Sequence, residues 1–186
     1  SIYFKEFQPN ICINTAAYTA VDEAEKNPDI AFQINADAVA NLAKCCVEWN
    51  TKLIHISTDY VFDGKAKIPY KETDTTNPET VYGKSKLAGE EAIKTSGLSD
   101  FAIIRTSWLY SRYGKNFFKT ILRLSKERDT IAVVNDQTGS PTYAPHLAEA
   151  ILTIAEKINK ENSGIYHFSD KGNITWFDFA VEIVKY

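Results

Sequence analysis

The chain lacks the long apolar runs and basic clusters that mark two large classes of protein. No stretch approaches the roughly 20 apolar residues that a membrane-spanning helix needs. The opening SIYFKEFQPN also has no apolar core of a signal peptide. The formal net charge is -3, and lysines and arginines are scattered, which argues against a nucleic-acid-binding domain. We therefore expect a cytoplasmic protein that binds neither membranes nor nucleic acid.

Cysteine is scarce, and its positions favour neither a disulfide nor a metal site. The three cysteines are Cys12, Cys45 and Cys46. Neighbouring side chains on a helix point about 100° apart, so Cys45 and Cys46 are poorly placed to bridge each other. Their spacing is also not that of a zinc site. We predict reduced cysteines and no metal, and we interpret His55, inside an apolar run, as a packed core histidine.

A glycine-rich turn is missing as well. Nucleotide-binding α/β domains usually open with a strand and a turn such as G-x-G-x-x-G, which lets the backbone approach a pyrophosphate. No such run occurs in these 186 residues. Two explanations stay open at this point: a domain that never had this turn, or a fragment that begins after it.

Short apolar runs alternate with helical patterns along the chain. The predicted strands are Ile11–Ile13, Lys52–Ile56, Phe101–Ile104, Ile131–Val134 and Gly164–Phe168. The predicted helices cover about 29–49, 80–96, 115–127 and 144–159, with a last one from about 176. Asp29 and Thr175 are the expected N-caps of two of them. This alternation predicts an α/β fold with a doubly wound parallel sheet.

The stretch TVYGKSKLAGE places Tyr82 just ahead of two lysines. If a helix starts near Thr80, Lys86 lies four residues on and shares the face of Tyr82, whereas Lys84 points some 200° away. An ammonium beside Tyr82 would lower its pKa from the usual value near 10 and suit it to proton transfer at a carbonyl or alcohol oxygen. The alternative is a surface helix pair, the commoner origin of a Y-x-x-x-K spacing.

Two further segments follow predicted strands. Ser57 and Thr58 end the strand that begins at Lys52, where a hydroxyl group would point into the ligand crevice of an open α/β sheet. Asn14-Thr15-Ala16-Ala17 follows the first strand, and its small side chains would let a cofactor approach the backbone. The alternatives are a simple turn at Thr58 and simple packing at the alanines.

Taken together and in this order, these segments resemble one family. The matching stretches are NTAAYTAVDEAE, QINADAVANLA, STDYVFDG, PYKETD, VYGKSKLAGE, RTSWLY and NDQTGSPTY. The chain resembles the extended short-chain dehydrogenase/reductases and, within them, the dTDP-4-dehydrorhamnose reductases. The resemblance implies a Rossmann-like sheet, here incomplete, with parts of a smaller substrate-binding region.

The resemblance also implies an activity. It is the reduction of the 4-keto group of dTDP-4-dehydro-L-rhamnose to dTDP-L-rhamnose, a precursor for cell-surface polysaccharide, with NADPH or NADH. By position, Thr58, Tyr82 and Lys86 match the family's catalytic residues. Positions that match the cofactor site are Ala16, Ala17, Tyr18, Ser57, Tyr82 and Lys86. Positions that match the substrate site are Asp59, Tyr60, Trp108, Gln137, Gly139, Ser140, Pro141 and Thr142.

The expected division of the chain follows the same resemblance. Residues 1–110 and 144–169 would belong to the cofactor-binding domain, and residues 111–143 and 170–186 to the substrate-binding region. The chain would be a fragment that lacks the glycine-rich turn and the C-terminal end. Another sugar-nucleotide reductase or epimerase of the superfamily, and a non-catalytic subunit resembling the β subunit of methionine adenosyltransferase, remain alternatives. The oligomeric state is left open, with a homodimer as one option.

Overall fold

The computed structural model describes residues 2–185, so the predicted ranges that start at residue 1 or end at residue 186 reach outside the described residues. The helices are α1 (Ile2–Phe7), α2 (Val21–Lys26), α3 (Pro28–Phe32), α4 (Ala38–Glu48), α5 (Val81–Lys94), α6 (Phe117–Glu127), α7 (Ala144–Lys157) and α8 (Trp176–Val184). The strands are β1 (Ile11–Asn14), β2 (Lys52–Thr58), β3 (Phe101–Thr106), β4 (Leu109–Tyr110), β5 (Thr138–Gly139), β6 (Thr142–Tyr143), β7 (Gly164–His167) and β8 (Ile174–Thr175).

Four strands form the main sheet, in the order β1-β2-β3-β7. Strand β1 runs parallel to β2, and β3 runs parallel to β7. In β2 the consecutive residues Leu53, Ile54 and His55 are all buried, so both faces of this strand are covered, as its nearly continuous apolar run predicts. The predicted α/β class with a parallel sheet is confirmed.

The core beneath this sheet joins helix α4 to the central strands. Its buried members are Phe4, Val39, Ala43, Cys46, Leu53, Ile93 and Ile103. They come from α1, α4, β2, α5 and β3, so five elements separated in sequence share one apolar cluster. This cluster fixes α5 against β2, which bears on the site because both elements carry predicted catalytic residues.

The predicted helix 29–49 is observed in three pieces. Helix α3 is followed by a π-helical segment, Gln33–Asp37, before α4 begins. The predicted N-cap at Asp29 is wrong, because Pro28 occupies the first helical turn with its fixed backbone angle and Asn27 precedes it. The widened turn places Asn35 fully buried on the side of α5, and such π-bulges occur frequently at functional sites.

Helix α5 approaches this π-helical segment so closely that Gly89 has no room for a side chain. A Cβ atom there would lie 2.2 Å from the carbonyl oxygen of Asn35. Alanine normally stabilises a helix interior by about 1 kcal/mol over glycine, but the overlap with backbone reverses the sign here. We expect Gly89→Ala to lower the free energy of unfolding by about 2 kcal/mol, measured by chemical denaturation. Lys84→Ala, at an exposed position of the same helix, is the control; an unchanged or higher stability of Gly89→Ala would contradict the close packing.

Two sequence-based expectations outside the main sheet have opposite outcomes. The capping box predicted at Thr175 is confirmed, since Thr175 and Asp178 each accept a hydrogen bond from the other's backbone N–H. The strand predicted at Ile131–Val134 is wrong, because that segment has no regular secondary structure. Ile131 and Val133 instead pack against the cluster around Ile121 and Phe179. Ile131 and Val133 are half-buried, whereas Ala132 and Val134 are exposed. Such one-sided burial is not enough for a strand, because a strand also needs a backbone partner.

The described chain divides into two compact units. One holds the residues up to Arg105 together with Leu152–His167, and the other holds Thr106–Ile151 together with the residues from Phe168 onward. Among residues 2–185, no helix has both the length and the apolar character to cross a membrane.

Candidate active site

The start of α5 places Tyr82 and Lys86 on the buried side of the helix. Thr80 is the N-cap, and its hydroxyl oxygen accepts a hydrogen bond from the Gly83 N–H at 3.0 Å. The helix therefore begins where the spacing argument requires. Tyr82 and Lys86 are 9% and 1% exposed, whereas Lys84 is exposed. The two lysines thus differ in environment as the helical spacing predicts.

The phenol of Tyr82 lies in an environment that raises its pKa. Burial raises its pKa, a hydrogen bond with Thr58 opposes the rise, and the nearby Asp59 and Tyr60 add to it. The Tyr60 ring meets the Tyr82 ring edge-on, with 5.5 Å between centroids. The expected lowering of this pKa by Lys86 is not observed, because the Lys86 amine is directed elsewhere. A raised pKa leaves Tyr82 protonated at neutral pH, the state that a proton donor needs.

The Lys86 amine bonds to strand β2. Its Nζ donates to the carbonyl oxygen of Ile56 at 2.7 Å and lies 3.3 Å from Nε2 of His55. Burial lowers the pKa of Lys86 to about 8, although the charge of Glu90 opposes this. Lys86 is therefore a lysine that can change its protonation state near physiological pH.

Thr58 and Asp59 lie where β2 ends. Thr58 is buried, and its hydroxyl oxygen accepts a hydrogen bond from the Tyr60 N–H at 3.2 Å. The same hydroxyl group donates to the Asp59 carboxylate at 3.1 Å. Burial raises the pKa of Asp59 to about 6, against the hydrogen bonds that it accepts. A hydroxyl group, a phenol and a carboxyl group are thus brought together at the C-terminal end of β2.

The raised pKa of Asp59 makes stability depend on pH. The ordinary value is 3.8, and the folded-state value is about 6. The folded protein therefore binds a proton that the unfolded chain releases in this window, so stability falls as pH rises from about 4 to 6. We expect Asp59→Asn to remove this decline, so that its melting temperature gains about 3 °C on the wild type across the window. Parallel melting curves of the two proteins from about pH 4 to 6 would contradict the assignment.

A buried ion pair between Glu90 of α5 and Arg105 of β3 contacts the end of β2 through Ser57. Arg105 donates to both carboxylate oxygens of Glu90, at 3.0 and 2.6 Å, and Ser57 donates to the same carboxylate at 2.5 Å. Glu90 is fully buried and Arg105 is 4% exposed. Neither was singled out from the sequence, although Glu90 follows Lys86 by four residues and so shares its helix face. The pair fixes Ser57, and with it the backbone that presents Thr58.

The turn after β1 reaches the same edge of the sheet. Asn14 pairs in register with His55 of β2, so the turn that follows β1 lies beside the end of β2. The Tyr18 backbone is held from both sides by the Asn35 side chain, at 2.8 and 3.0 Å. Ala16 is exposed and Ala17 is half-buried, so small side chains at this edge leave the backbone open to a ligand. Asn35 is not among the site residues predicted from the sequence, although an asparagine within an apolar helical pattern indicates a buried polar contact.

The other predicted substrate residues lie together in the second unit. The Ser107 hydroxyl group donates to the Ser140 carbonyl oxygen at 2.8 Å, and the Thr142 N–H donates to the Trp108 carbonyl oxygen at 3.2 Å. The Trp108 ring occupies the space where a Cβ on Gly139 would lie, 2.6 Å away. It also stacks on Trp176 with 3.6 Å between centroids. The remaining two positions are the exposed Gln137 and the half-buried Pro141.

Trp108 adopts a backbone conformation that is rare for a bulky residue. Its φ angle is +47°, in the left-handed region where a side chain such as tryptophan is strained. The Thr142 hydrogen bond and the Trp176 stack hold it there. Strain of this kind concentrates at ligand-binding positions.

Comparison with known proteins shows the family to which this chain belongs. The family model described as "RmlD substrate binding domain" matches residues 2–186. The chain belongs to the RmlD substrate-binding-domain family. This confirms the resemblance to dTDP-4-dehydrorhamnose reductases inferred from the motifs.

Several similar proteins carry names that agree with this family. A dTDP-4-dehydrorhamnose reductase of Aggregatibacter actinomycetemcomitans is 47% identical over 180 residues, which cover 95% of this chain and 61% of that protein. The spore coat polysaccharide biosynthesis protein SpsK of Bacillus subtilis is 44% identical over 98% of this chain and 62% of its own length. The chain thus spans about three fifths of these RmlD-family relatives.

A solved structure shares the RmlD-family fold. The crystal structure of dTDP-4-dehydrorhamnose reductase from Bacillus anthracis str. Ames, in complex with NADP, matches with a TM-score of 0.94 and 44% identity. The match covers 99% of this chain and 65% of that one. The predicted Rossmann-like architecture is thereby confirmed.

Proposed function

We propose that this chain carries the catalytic residues of an NAD(P)H-dependent reductase that converts dTDP-4-dehydro-L-rhamnose to dTDP-L-rhamnose. One observation carries the proposal: the buried Tyr82, whose pKa is raised, lies beside Thr58, and the buried Lys86 lies one helical turn on. Reduction of a keto group needs a proton donor at the nascent alkoxide. The names of the similar proteins support the choice of substrate.

The residues at the ends of β1 and β2 fit a nicotinamide cofactor. Ala16 and Ala17 leave the backbone open, and the buried Lys86 amine lies against Ile56, near the C-terminal end of β2. When bound, NADPH or NADH supplies the hydride. Tyr18 and Ser57 would contribute through the backbone, since the Ser57 hydroxyl group is already bonded to Glu90. The NADP bound to the Bacillus anthracis relative supports the choice of cofactor.

Each catalytic side chain has a distinct part in this proposal. Tyr82 gives its proton to the C4 oxygen of the sugar as that oxygen gains negative charge. Thr58 would orient the carbonyl oxygen through its hydroxyl group, and Lys86 would hold the nicotinamide ribose of a bound cofactor and, when charged, would stabilise the tyrosinate left behind. The positions proposed to hold the sugar and the nucleotide are Asp59, Tyr60, Trp108, Gln137, Gly139, Ser140, Pro141 and Thr142.

The remaining assignments are part of the same proposal. Residues 1–110 and 144–169 form the cofactor-binding part, and residues 111–143 and 170–186 form the substrate-binding part. The three free cysteines are consistent with a reducing cytoplasm. The product serves cell-surface polysaccharide synthesis, in line with the name of the Bacillus subtilis relative, and a homodimer is the assembly to test.

A turnover assay with the complete protein tests this function. The protein is incubated with NADPH and dTDP-4-dehydro-L-rhamnose, with cofactor oxidation followed by absorbance and the sugar product by NMR. Stoichiometric oxidation of NADPH with formation of dTDP-L-rhamnose is expected. An epimerase would change the sugar without net consumption of cofactor, and a non-catalytic subunit would consume neither compound.

A further inference from the structure

A continuous series of polar contacts links Lys86 to the turn after β1. The Ala16 N–H donates to Asn14 Oδ1 at 3.2 Å, and Asn14 Nδ2 lies 3.0 Å from His55 Nδ1. On the other side of the ring, His55 Nε2 lies 3.3 Å from Lys86 Nζ, which donates to the Ile56 carbonyl oxygen at 2.7 Å. His55 is fully buried, so these contacts account for both of its ring nitrogens.

The ring of His55 is uncharged, which restricts what each nitrogen can do. Burial and the adjacent Lys86 lower the pKa of His55 to about 3. A neutral imidazole has one N–H and one lone pair. With Asn14 Oδ1 bonded to Ala16, the amide nitrogen of Asn14 donates to Nδ1, so the ring proton is on Nε2 and faces Lys86. Only an uncharged Lys86 amine can accept a hydrogen bond from this Nε2–H group.

A charged Lys86 requires the opposite arrangement. An ammonium has no lone pair, so His55 Nε2 must then accept and the ring proton must move to Nδ1. Asn14 can accept a hydrogen bond from Nδ1–H only if its amide oxygen turns toward His55. That rotation breaks the hydrogen bond between Asn14 Oδ1 and the Ala16 N–H. We propose that His55 is a positioning residue whose tautomer couples the charge of Lys86 to the Asn14–Ala16 turn.

Few other charged groups face this series of contacts. On its own helix Lys86 faces Glu90, whose charge favours the ammonium form. Glu90 is bonded to Arg105 of β3 and Ser57 of β2, so its charge is already paired. Asp59, at the end of β2, acts on Tyr82. On β1 the contact to His55 comes from Asn14, which does not titrate, so Lys86 and His55 are the groups that change within the series.

The coupling has a consequence for cofactor binding, which rests on the proposed function. Ala16 is exposed, so a ligand oxygen can accept from its N–H and free Asn14 Oδ1 to turn toward His55. That arrangement favours the ammonium form of Lys86, and by reciprocity a charged Lys86 favours the ligand. Binding of NADPH near pH 8 should therefore take up part of a proton per site.

The tautomer of His55 tests the proposal directly in the complete, ligand-free protein. The 186 residues contain three histidines, and the ring system of His55 in long-range ¹H–¹⁵N NMR spectra is assigned as the one that is missing from His55→Leu, with His146→Gln and His167→Gln identifying the other two. We expect His55 to pass from the Nδ1–H form to the Nε2–H form as pH rises through about 8, and the step to vanish in Lys86→Met. A single tautomer from about pH 6 to 10, or ordinary protonation of His55 near pH 6.5, would overturn the proposal.

Proton uptake on NADPH binding gives a second readout. Calorimetry in buffers of different ionisation enthalpy measures it for the wild type, His55→Leu and His146→Gln, the last an exposed histidine paired with Asp170. We expect uptake of up to about half a proton at pH 8 in the wild type and His146→Gln, and almost none in His55→Leu. Equal uptake in all three would overturn the coupling. Failure of keto-sugar turnover would refute the proposed function, whereas the ligand-free tautomer step decides this inference independently.

Discussion

Replacing Tyr82 with phenylalanine is expected to lower kcat for keto-sugar reduction by about 100- to 10,000-fold. The change removes the proton donor and leaves a ring of the same shape in contact with Tyr60. Cofactor affinity should change little, because Lys86 and the turn after β1 are untouched. Steady-state kinetics together with NADPH titration of the complete protein separate the two effects.

Lys84→Ala is the matched control for this experiment. Lys84 lies two residues from Tyr82 but is exposed, whereas Lys86 is buried against β2. We expect Lys84→Ala to keep nearly full activity and Lys86→Ala to lose most of it. Substantial activity in Tyr82→Phe, or equal losses at the two lysines, would refute the assignment of the site.

Replacing Glu90 with glutamine is expected to lower the free energy of unfolding by about 3 kcal/mol. Arg105 is 4% exposed and makes both of its side-chain hydrogen bonds to Glu90, so loss of the carboxylate leaves a guanidinium charge buried and uncompensated. The amide oxygen of glutamine can still accept from Ser57, but its amide nitrogen is a donor that replaces the oxygen to which Arg105 Nη2 donates. Chemical denaturation of the variant and the wild type measures this loss.

An exposed ion pair serves as the control for Glu90. Arg123 and Glu127 are four residues apart on α6, and their side chains are 59% and 50% exposed. Glu127→Gln should change stability by no more than about 0.5 kcal/mol, since solvent screens such pairs. If Glu90→Gln and Glu127→Gln have similar small effects, the buried pair does not support β2 as proposed.

Elements that are determined by residues near one another in the chain could be predicted from the sequence alone. The strands around Ile54 and Ile103 were predicted from continuous apolar runs, because both faces of a parallel strand are buried. The start of α5 and the capping box at Thr175 follow from side chains that bond to backbone three residues away. The separation of Lys84 from Lys86 needs only the helical period.

The secondary-structure predictions are wrong where contacts between distant parts of the chain determine the structure. Ile131–Val134 is a continuous apolar run like the predicted strands, but Ile131 and Val133 pack against a side-chain cluster and the segment forms no strand. The π-helical turn at Asn35 depends on the close approach of α5 at Gly89, which lies 54 positions along the chain. Such distant contacts leave no periodicity in a single sequence.

The supporting residues of the site were missed for a related reason. The apolar neighbours of His55 predict a core histidine, and the residue is indeed fully buried, but its ring also joins Asn14 to Lys86 across three elements. Glu90 and Arg105 meet from α5 and β3. The Tyr82–Lys86 spacing indicated which residues to test, but only the fold shows that burial raises the pKa of one and lowers that of the other.

Hydride transfer from labelled cofactor tests the central claim most directly. The complete protein is given dTDP-4-dehydro-L-rhamnose and NADPH deuterated at the transferable position of the nicotinamide, and the product is analysed by mass spectrometry and NMR. Deuterium at C4 of dTDP-L-rhamnose in the wild type, with almost no product from Tyr82→Phe, is the predicted result. Unconsumed cofactor, or a sugar product without deuterium at C4, would contradict a reductase built on Thr58, Tyr82 and Lys86.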